Sequence, residues 1–227
     1  QFTSAFLFLA PVTTIWKIYK RKDVEDFSPN PYLAGIMNCL MWIYYGLPLV
    51  TGNNILVIII NTFGLLMEIL YVCIYLWYSK SNKQRMSVLW KVGVIAVVFA
   101  LIVGFEMGFT HKGSTRLLAG GIQSTIFSIC LYAMPLDIMR TVIKTRSVEY
   151  LPILLCIAGF LNGIDWSIYA FFSKTIDPFI LIANGLGAIL GAIQIILYLM
   201  YRNSTPIKDE KPTGQKQVEI SSIDSIV

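Results

Sequence analysis

The chain writes one stretch twice. Displaced by 124 positions, the segment 4–61 falls on a second copy of itself. Ser4 meets Ser128, Leu7 meets Leu131, Pro11 meets Pro135, and Val24-Glu25 meets Val148-Glu149. Asn38, Trp42 and Tyr45 meet Asn162, Trp166 and Tyr169. One net deletion later, Asn61-x-x-Gly64 meets Asn184-x-x-Gly187 at a displacement of 123. Pro, Trp and Asn are among the least interchangeable residues, so their agreement in one register marks two copies of one structural unit. A repeat of this kind limits the fold before any single residue does.

The solvent for that unit follows from composition. Hydrophobic residues make up 56% of the chain and charged residues 14%, with a mean hydropathy of +0.67. A soluble domain carries about 25% charged residues. The apolar residues fall in long runs, and about 20 of them in a helix cross the hydrocarbon of a bilayer. Seven runs meet that standard: the start of the chain to about 18, then about 31–50, 55–78, 88–109, 117–139, 152–172 and 178–201. The first is short, because the chain opens almost inside it. Asp177-Pro178 predicts an N-cap followed by the first helical residue. The tail 203–227 is polar, mixed in charge and without helical period, and reads as disordered.

Each repeat copy holds three spans. Three crossings leave the chain on the opposite face, so a second copy in the same orientation needs one extra crossing first. Span 4 has no partner in the repeat and supplies it. The expected fold is therefore an all-α integral membrane protein of seven transmembrane helices. Two parallel three-helix bundles, residues 1–78 and 117–201, are joined by an inverting linker helix at 88–109.

Charge sets the expected orientation. Lys17, Lys20, Arg21 and Lys22 follow span 1, and Lys80, Lys83, Arg85 and Lys91 flank the connection from span 3 to span 4. Arg140, Lys144 and Arg146 follow span 5, and Arg202, Lys208, Lys211 and Lys216 lie in the tail. These are 15 of the 18 basic residues; Lys112, Arg116 and Lys174 are left for the other side. Basic excess marks the cytoplasmic face, so the N-terminus is expected outside and the C-terminus inside. The net charge of +5 is thereby explained by topology, and no nucleic-acid partner is expected. Cys39, Cys73, Cys130 and Cys156 lie in apolar runs without metal-ligand spacing, and the lone His111 lies in a polar connection. Free buried thiols, no metal and no cofactor are expected.

Polar residues inside the runs carry the functional reading. Asn61 and Asn184 lie deep in spans 3 and 7 at matching positions, where an unpaired amide is costly and must face protein or a water-filled cavity. One isolated Asn reads as a helix–helix hydrogen bond; a symmetry-matched pair reads as a site. Trp42 and Trp166 follow Asn38 and Asn162 by four residues, so each copy presents an amide and an indole on one helix face. Amides offer donors and acceptors, and a flat indole can cover the C–H face of a ring, so the combination suits an uncharged, hydroxyl-rich ligand. Ser4, Leu7, Ser128 and Leu131 add a third pair of stripes. Pro11 and Pro135 sit within apolar runs, where Pro breaks a backbone bond and bends the helix. Pro31 and Pro152 follow connections and read as helix-start prolines. Tyr45 and Tyr169 lie toward the outer ends of spans 2 and 6, near Asp177. The acids in or near spans are Glu68, Glu106, Asp137 and Asp165; none has a repeat partner, which argues against ion coupling, and Asp137 and Arg140 are expected to pair.

With these residues in view, the sequence resembles the plant SWEET sugar transporters. The motifs are Leu9-Ala-Pro11, Asn38-Cys-Leu-Met-Trp42, Tyr45-Gly-Leu-Pro48, Tyr132-Ala-Met-Pro135, Ile138-Met-Arg140, Thr145-Arg-Ser-Val-Glu149, Asp177-Pro-Phe179 and Asn184-Gly-Leu-Gly187. The similarity covers nearly all of residues 2–202 and is strongest to the glucose-preferring subgroup. It implies passive, bidirectional uniport of a mono- or disaccharide, with glucose the expected sugar, by alternating access in a plasma or vacuolar membrane. By this resemblance Asn61 and Asn184 would hold the sugar and Trp42 and Trp166 would bracket it. Asn38, Asn162, Ser4, Ser128, Leu7 and Leu131 would line the pocket. Pro11, Pro31, Pro135 and Pro152 would form a proline tetrad at the inner gate, and Tyr45, Tyr169 and Asp177 an outer gate. A basic partner found in some members is replaced here by Gly52-Asn53. Leu131, bulkier than the Val of some sucrose carriers, implies a narrow pocket. The resemblance also implies self-association, a trimer included.

Two other classes fit the span count. A seven-span receptor shares the orientation but is not expected to carry an internal repeat, and no Asp-Arg-Tyr or Asn-Pro-x-x-Tyr signature is present. A proton-coupled PQ-loop-type carrier would depend on a pH gradient. No enzyme is expected: the protease motifs Gly-x-Ser-Gly and Gly-x-Gly-Asp are absent.

Overall fold

Prolines decide where the first and fifth spans break. In the computed structural model, which describes residues 2–25, 27–52, 54–110, 113–148, 151–173 and 175–203, the first span is two helices, α1 (Phe2–Leu9) and α2 (Val12–Arg21). Pro11 has no N–H to donate and its ring crowds the carbonyl of Leu7 four residues back. The chain responds with a tighter bond, Ala10 N–H to the Leu7 carbonyl at 3.2 Å, before helix resumes. The fifth span breaks likewise into α7 (Gly113–Leu131) and α8 (Ala133–Thr145), with Tyr132 N–H on the Ile129 carbonyl at 3.0 Å. Here Pro135 crowds the carbonyl of Leu131, the last residue of α7.

The remaining elements, numbered in chain order, are α3 (Asn30–Gly46), α4 (Pro48–Thr51), α5 (Ile55–Tyr78), α6 (Asn82–Phe109), α9 (Ile153–Phe171) and α10 (Pro178–Tyr201). Among the described residues six helical segments are long and apolar enough to cross a membrane. The seventh crossing is α3, whose 17 residues reach about 25 Å and which α4 continues past Leu47. Bounds of spans 3 and 7 coincide with expectation. Span 4 begins earlier, because the polar stretch at its start joins the helix, and span 5 runs on to Thr145 as an amphipathic extension. Asp177 caps α10 as expected, its Oδ1 accepting from the amides of Phe179 and Ile180, both at 3.1 Å.

The exterior is that of a multi-pass membrane protein. Leu66, Leu101, Phe105 and Ile189 are each more than half exposed, and α6 buries only Val88 and Glu106. All four cysteines are free; Cys39 and Cys156 are buried as expected, but Cys73 and Cys130 face outward into the apolar belt. The expected tail, apart from Asn203, lies outside the described residues, as do Asn53, His111, Lys112, Glu149 and Lys174.

Packing follows the repeat. In the first half α5 packs against α1, α2 and α3; in the second α10 packs against α7, α8 and α9. Across the halves α1 meets α9 and α3 meets α7, while α6 lies on α3. Apolar helices gain little from leaving lipid for one another, so close approach and hydrogen bonds must hold them. Glycines provide the approach. The Phe8 ring lies over Gly64, and the hydroxyl end of Tyr132, its repeat counterpart, over Gly187. Three apolar clusters result: one in each half, and a central one shared by Met41, Trp42 and Tyr45 with Trp166, Ile180 and Ala183.

One ion pair ties connections at the proline end: Lys80 Nζ lies 2.7 Å from Asp23 Oδ2. This contact, with the Glu25 amide on Asp23, holds the Asp23 carboxyl below its ordinary value. Its contribution is therefore present above the usual carboxylate range, near pH ~4, and fades as pH falls through the lowered native value.

Gly163 is the tightest backbone contact. A Cβ there would lie 2.6 Å from the Ala188 nitrogen and 2.7 Å from the Asn184 carbonyl oxygen, both backbone. Gly163→Ala is expected to lower stability by about 1–3 kcal/mol, the usual cost of overpacking. Gly93→Ala, in open space on α6, should be neutral or stabilising by up to ~1 kcal/mol. Thermal unfolding of the purified variants measures both.

Candidate substrate-binding cavity

A cavity of about 250 Å³ lies where the two halves meet. One water needs only ~15 Å³ of such space, so the cavity admits a ligand much larger than water. All ten residues expected to bind substrate line it: Ser4, Leu7, Asn38, Trp42, Asn61, Ser128, Leu131, Asn162, Trp166 and Asn184. Six others join them: Phe8, Val57, Ile60, Tyr132, Ile180 and Ala183. These six are themselves repeat pairs. Phe8 answers Tyr132, Val57 answers Ile180, and Ile60 answers Ala183. The sixteen lining residues are thus eight matched pairs, four polar or indole-bearing and four apolar or aromatic.

The polar pairs are wired across the halves in the same way twice. Trp42 Nε1 donates to Ser128 Oγ at 2.9 Å, and Ser128 donates to Asn38 Oδ1 at 3.0 Å. Trp166 Nε1 donates to Ser4 Oγ at 2.8 Å, and Ser4 donates to Asn162 Oδ1 at 2.5 Å. The four-residue spacing of Asn and Trp lets one serine bridge both from the opposite half. Each indole is thereby held at the cavity wall, and Trp42, Trp166, Ser4 and Ser128 are all buried. On α5 and α10, Asn61 Nδ2 donates to the Val57 carbonyl at 2.9 Å and Asn184 Nδ2 to the Ile180 carbonyl at 3.0 Å. Each amide keeps a carbonyl oxygen and one N–H for a ligand.

Among the described residues none that lines the cavity is acidic or basic. Glu68 is buried between α5 and α3, its carboxyl against Gly35. Glu106 is buried and accepts from Tyr44 Oη at 2.7 Å. Asp165 accepts from Thr3 Oγ1 at 2.9 Å. Asp137 lies in a groove between α8 and α10. The expected ion pair of Asp137 with Arg140 does not form: among the described residues the ion pairs are Arg21–Glu25 and Lys80–Asp23.

One end of the cavity is bolted. Tyr45 Oη donates to Asp177 Oδ2 at 2.8 Å, and Tyr169 Oη donates to Asn54 Oδ1 at 2.7 Å. Asn54 and Asp177 correspond under the displacement of 123, so Asn54 is the fourth member of this pair of bolts and was missed. The rings of Tyr45 and Tyr169 stand edge-on to Trp42 and Trp166, both at 5.4 Å between centroids. At the other end stand the four prolines. Pro11 and Pro135 mark the breaks; Pro31 is in the first turn of α3 and Pro152 is the N-cap of α9. There α2 packs on α5 and α8 on α10, each within its own half.

Known proteins resemble this chain in sequence and in fold. The sequence matches the family described as "Sugar efflux transporter for intercellular exchange" over residues 1–83 and again over 120–206. It is 47% identical to Bidirectional sugar transporter SWEET1b of Oryza sativa subsp. indica over 199 residues, covering 88% of this chain and 75% of that protein. It is 42% identical to Bidirectional sugar transporter SWEET5 of Arabidopsis thaliana over 219 residues, 96% of this chain and 90% of that one. The chain belongs to the SWEET family of sugar transporters. A solved eukaryotic SWEET transporter superposes with a TM-score of 0.83 at 36% identity, covering 89% of this chain and 93% of that one. A SWEET is a transporter and not an enzyme, and sugar is the substrate class of the family.

Within this SWEET the two Trp–Ser–Asn chains are the most exacting part of the wall. Ser128→Ala would leave the buried Trp42 N–H without a partner, a loss of about 1–3 kcal/mol. Combined with Trp42→Phe, which removes the donor as well, the second loss should be smaller than the first. A double-mutant cycle on thermal unfolding is expected to give a coupling of about 0.5–1.5 kcal/mol. Simple additivity of the two substitutions would count against the bond.

Proposed function

We propose that this SWEET is a passive, bidirectional uniporter that prefers a hexose, glucose among them, and that it works by alternating access around the central cavity. The observation that carries the reading is the cavity's symmetry combined with its neutrality: eight matched pairs, uncharged throughout, at the seam between two like halves. Asn61 and Asn184 supply amide donors and acceptors from opposite walls, so a ring of hydroxyls can be held from both sides. Trp42 and Trp166 cover its apolar faces. Leu7 and Leu131 narrow the space toward one ring. The names of the relatives, bidirectional sugar transporters, support the same substrate class.

Transport then takes the form of two rigid halves rocking about the site. In the arrangement described, Tyr45–Asp177 and Tyr169–Asn54 close one end, and the prolines bend spans 1 and 5 at the other. The basic residues cluster at the proline end, so that end faces the cytoplasm by the positive-inside rule, with the N-terminus outside and the C-terminus inside. The structure is thus read as the inward-facing state. Opening the outer end requires the tyrosine bolts to part and the bent ends of spans 1 and 5 to swing together. With no acid or base in the lining, a sugar moves down its own gradient without an ion.

Radiolabelled glucose counterflow in proteoliposomes with no imposed ion gradient should be robust for the wild-type chain and insensitive to a pH gradient. Asn61→Ala or Asn184→Ala should reduce it at least tenfold while the protein still reaches the membrane; wild-type flux in both would defeat the site assignment. Leu131→Val should raise sucrose flux relative to glucose. An unchanged ratio would remove the argument from pocket width.

A further inference from the structure

The two halves differ where α8 lies on α10. A groove of about 750 Å³ opens there, walled by Leu136 and Met139 of α8 and by Ile193 and Leu197 of α10, with Arg140 and Lys144 at its edge. The same place in the first half carries a cluster of aromatic rings. Arg140 and Ile143 correspond to Trp16 and Tyr19, which stack at 5.5 Å between centroids. Lys144 corresponds to Lys20, whose Nζ lies 5.5 Å from the Trp16 ring centroid. Tyr19 in turn meets Tyr78 edge-on at 6.0 Å. The second half therefore has a base where the first has an indole, an aliphatic side chain where the first has a phenol, and a lysine without its ring.

We propose that this groove binds one acidic phospholipid from the leaflet at the proline end, its phosphate between Arg140 and Lys144 and an acyl chain along Ile193 and Leu197. The two cations are four residues apart on α8, hence on one face and a few ångströms apart. Neither belongs to an ion pair among the described residues. Asp137 shares the groove one turn further along α8, toward the break at Tyr132. It leaves the Lys144 end, nearer the helix terminus, as the positive one. A soluble anion would find nothing for the apolar walls, and a neutral lipid nothing for the two cations. A basic pocket between membrane helices that opens to the bilayer selects a molecule with both parts. The proposal rests on the membrane fold and the charge at this end, and is independent of which sugar is carried.

The test uses the purified full chain in detergent, with phosphatidylinositol 4-phosphate, phosphatidylserine, phosphatidylcholine and free inositol 1,4-bisphosphate as probes. Native mass spectrometry reads retained lipid, and thermal unfolding reads stabilisation. One acidic lipid should be retained and should raise the melting temperature; phosphatidylcholine and the free headgroup should do neither. Arg140→Ala with Lys144→Ala should weaken retention by ~30-fold, at roughly fivefold per cation. Arg140→Trp with Ile143→Tyr, which imports the stacked aromatic pair of the first half and removes one cation, should also weaken retention while leaving lipid-free melting unchanged, so a folding defect is separable. Equal retention of phosphatidylcholine, full retention by both double variants, or equal stabilisation by the free headgroup would overturn the proposal. So would retention that appears only after removal of residues 204–227, because the chain's own tail would then be the occupant.

Discussion

Hydrocarbon does not solvate polar groups, and the rest of this structure is arranged around that fact. An indole N–H, a hydroxyl or an amide within a bilayer needs a partner inside the protein or water in a cavity. At the cavity the chain meets the requirement by sending its indoles and serines across the seam. Trp42 and Asn38 of the first half share Ser128 of the second; Trp166 and Asn162 of the second share Ser4 of the first. Neither half satisfies these groups alone. The halves are therefore tied at the level of the cavity by the same atoms that shape it, and the apolar surfaces around them are left free to face lipid.

That arrangement explains why the site could be read from the sequence in part. Asn61, Asn184, Trp42 and Trp166 declare themselves because polar or bulky residues in an apolar run are conspicuous, and the repeat shows that each occurs twice. Their apolar companions do not. Val57 and Ile180, or Ile60 and Ala183, look like any other residues of a lipid-facing helix, and only the register of the repeat could have marked them: each lies next to an Asn or one turn before it. Gly64 and Gly187 were visible as part of the Asn-x-x-Gly motif, but their reason is a contact with Phe8 and Tyr132 that no local pattern reveals. Asn54 was passed over because it stands in a turn rich in Gly and Asn. Its correspondence with Asp177 was nevertheless available from the same displacement that placed Asn184.

Fold-level features followed the same division. The spans beginning at Ile55 and Pro178 end where their apolar runs end, since hydropathy alone sets them. Spans 1 and 5 depart from a plain run because proline chemistry acts through the carbonyl four residues back, which moves each break upstream of its proline, to Ala10 and Tyr132. Span 5 also outlasts its apolar run: Arg140 and Lys144 can extend along lipid and reach polar surroundings with their charged ends, so hydropathy stops counting before the helix stops.

The bolts at the tyrosine end show why small energies suffice for a carrier. Tyr45 and Tyr169 each make one hydrogen bond across the seam, to a carboxylate and to an amide respectively. A neutral bond of this kind contributes about 1 kcal/mol net and one to a charged group about 1.5–3. Together they amount to a few kcal/mol, the scale that keeps a second conformation populated. The two bolts are unequal although their tyrosines are equivalent, because one acceptor is Asp177 and the other Asn54. By these magnitudes the bond to the Asn54 amide contributes less than the bond to the Asp177 carboxylate. The repeat that builds a symmetric cavity thus carries, in one substituted position, two unequal bonds across the seam.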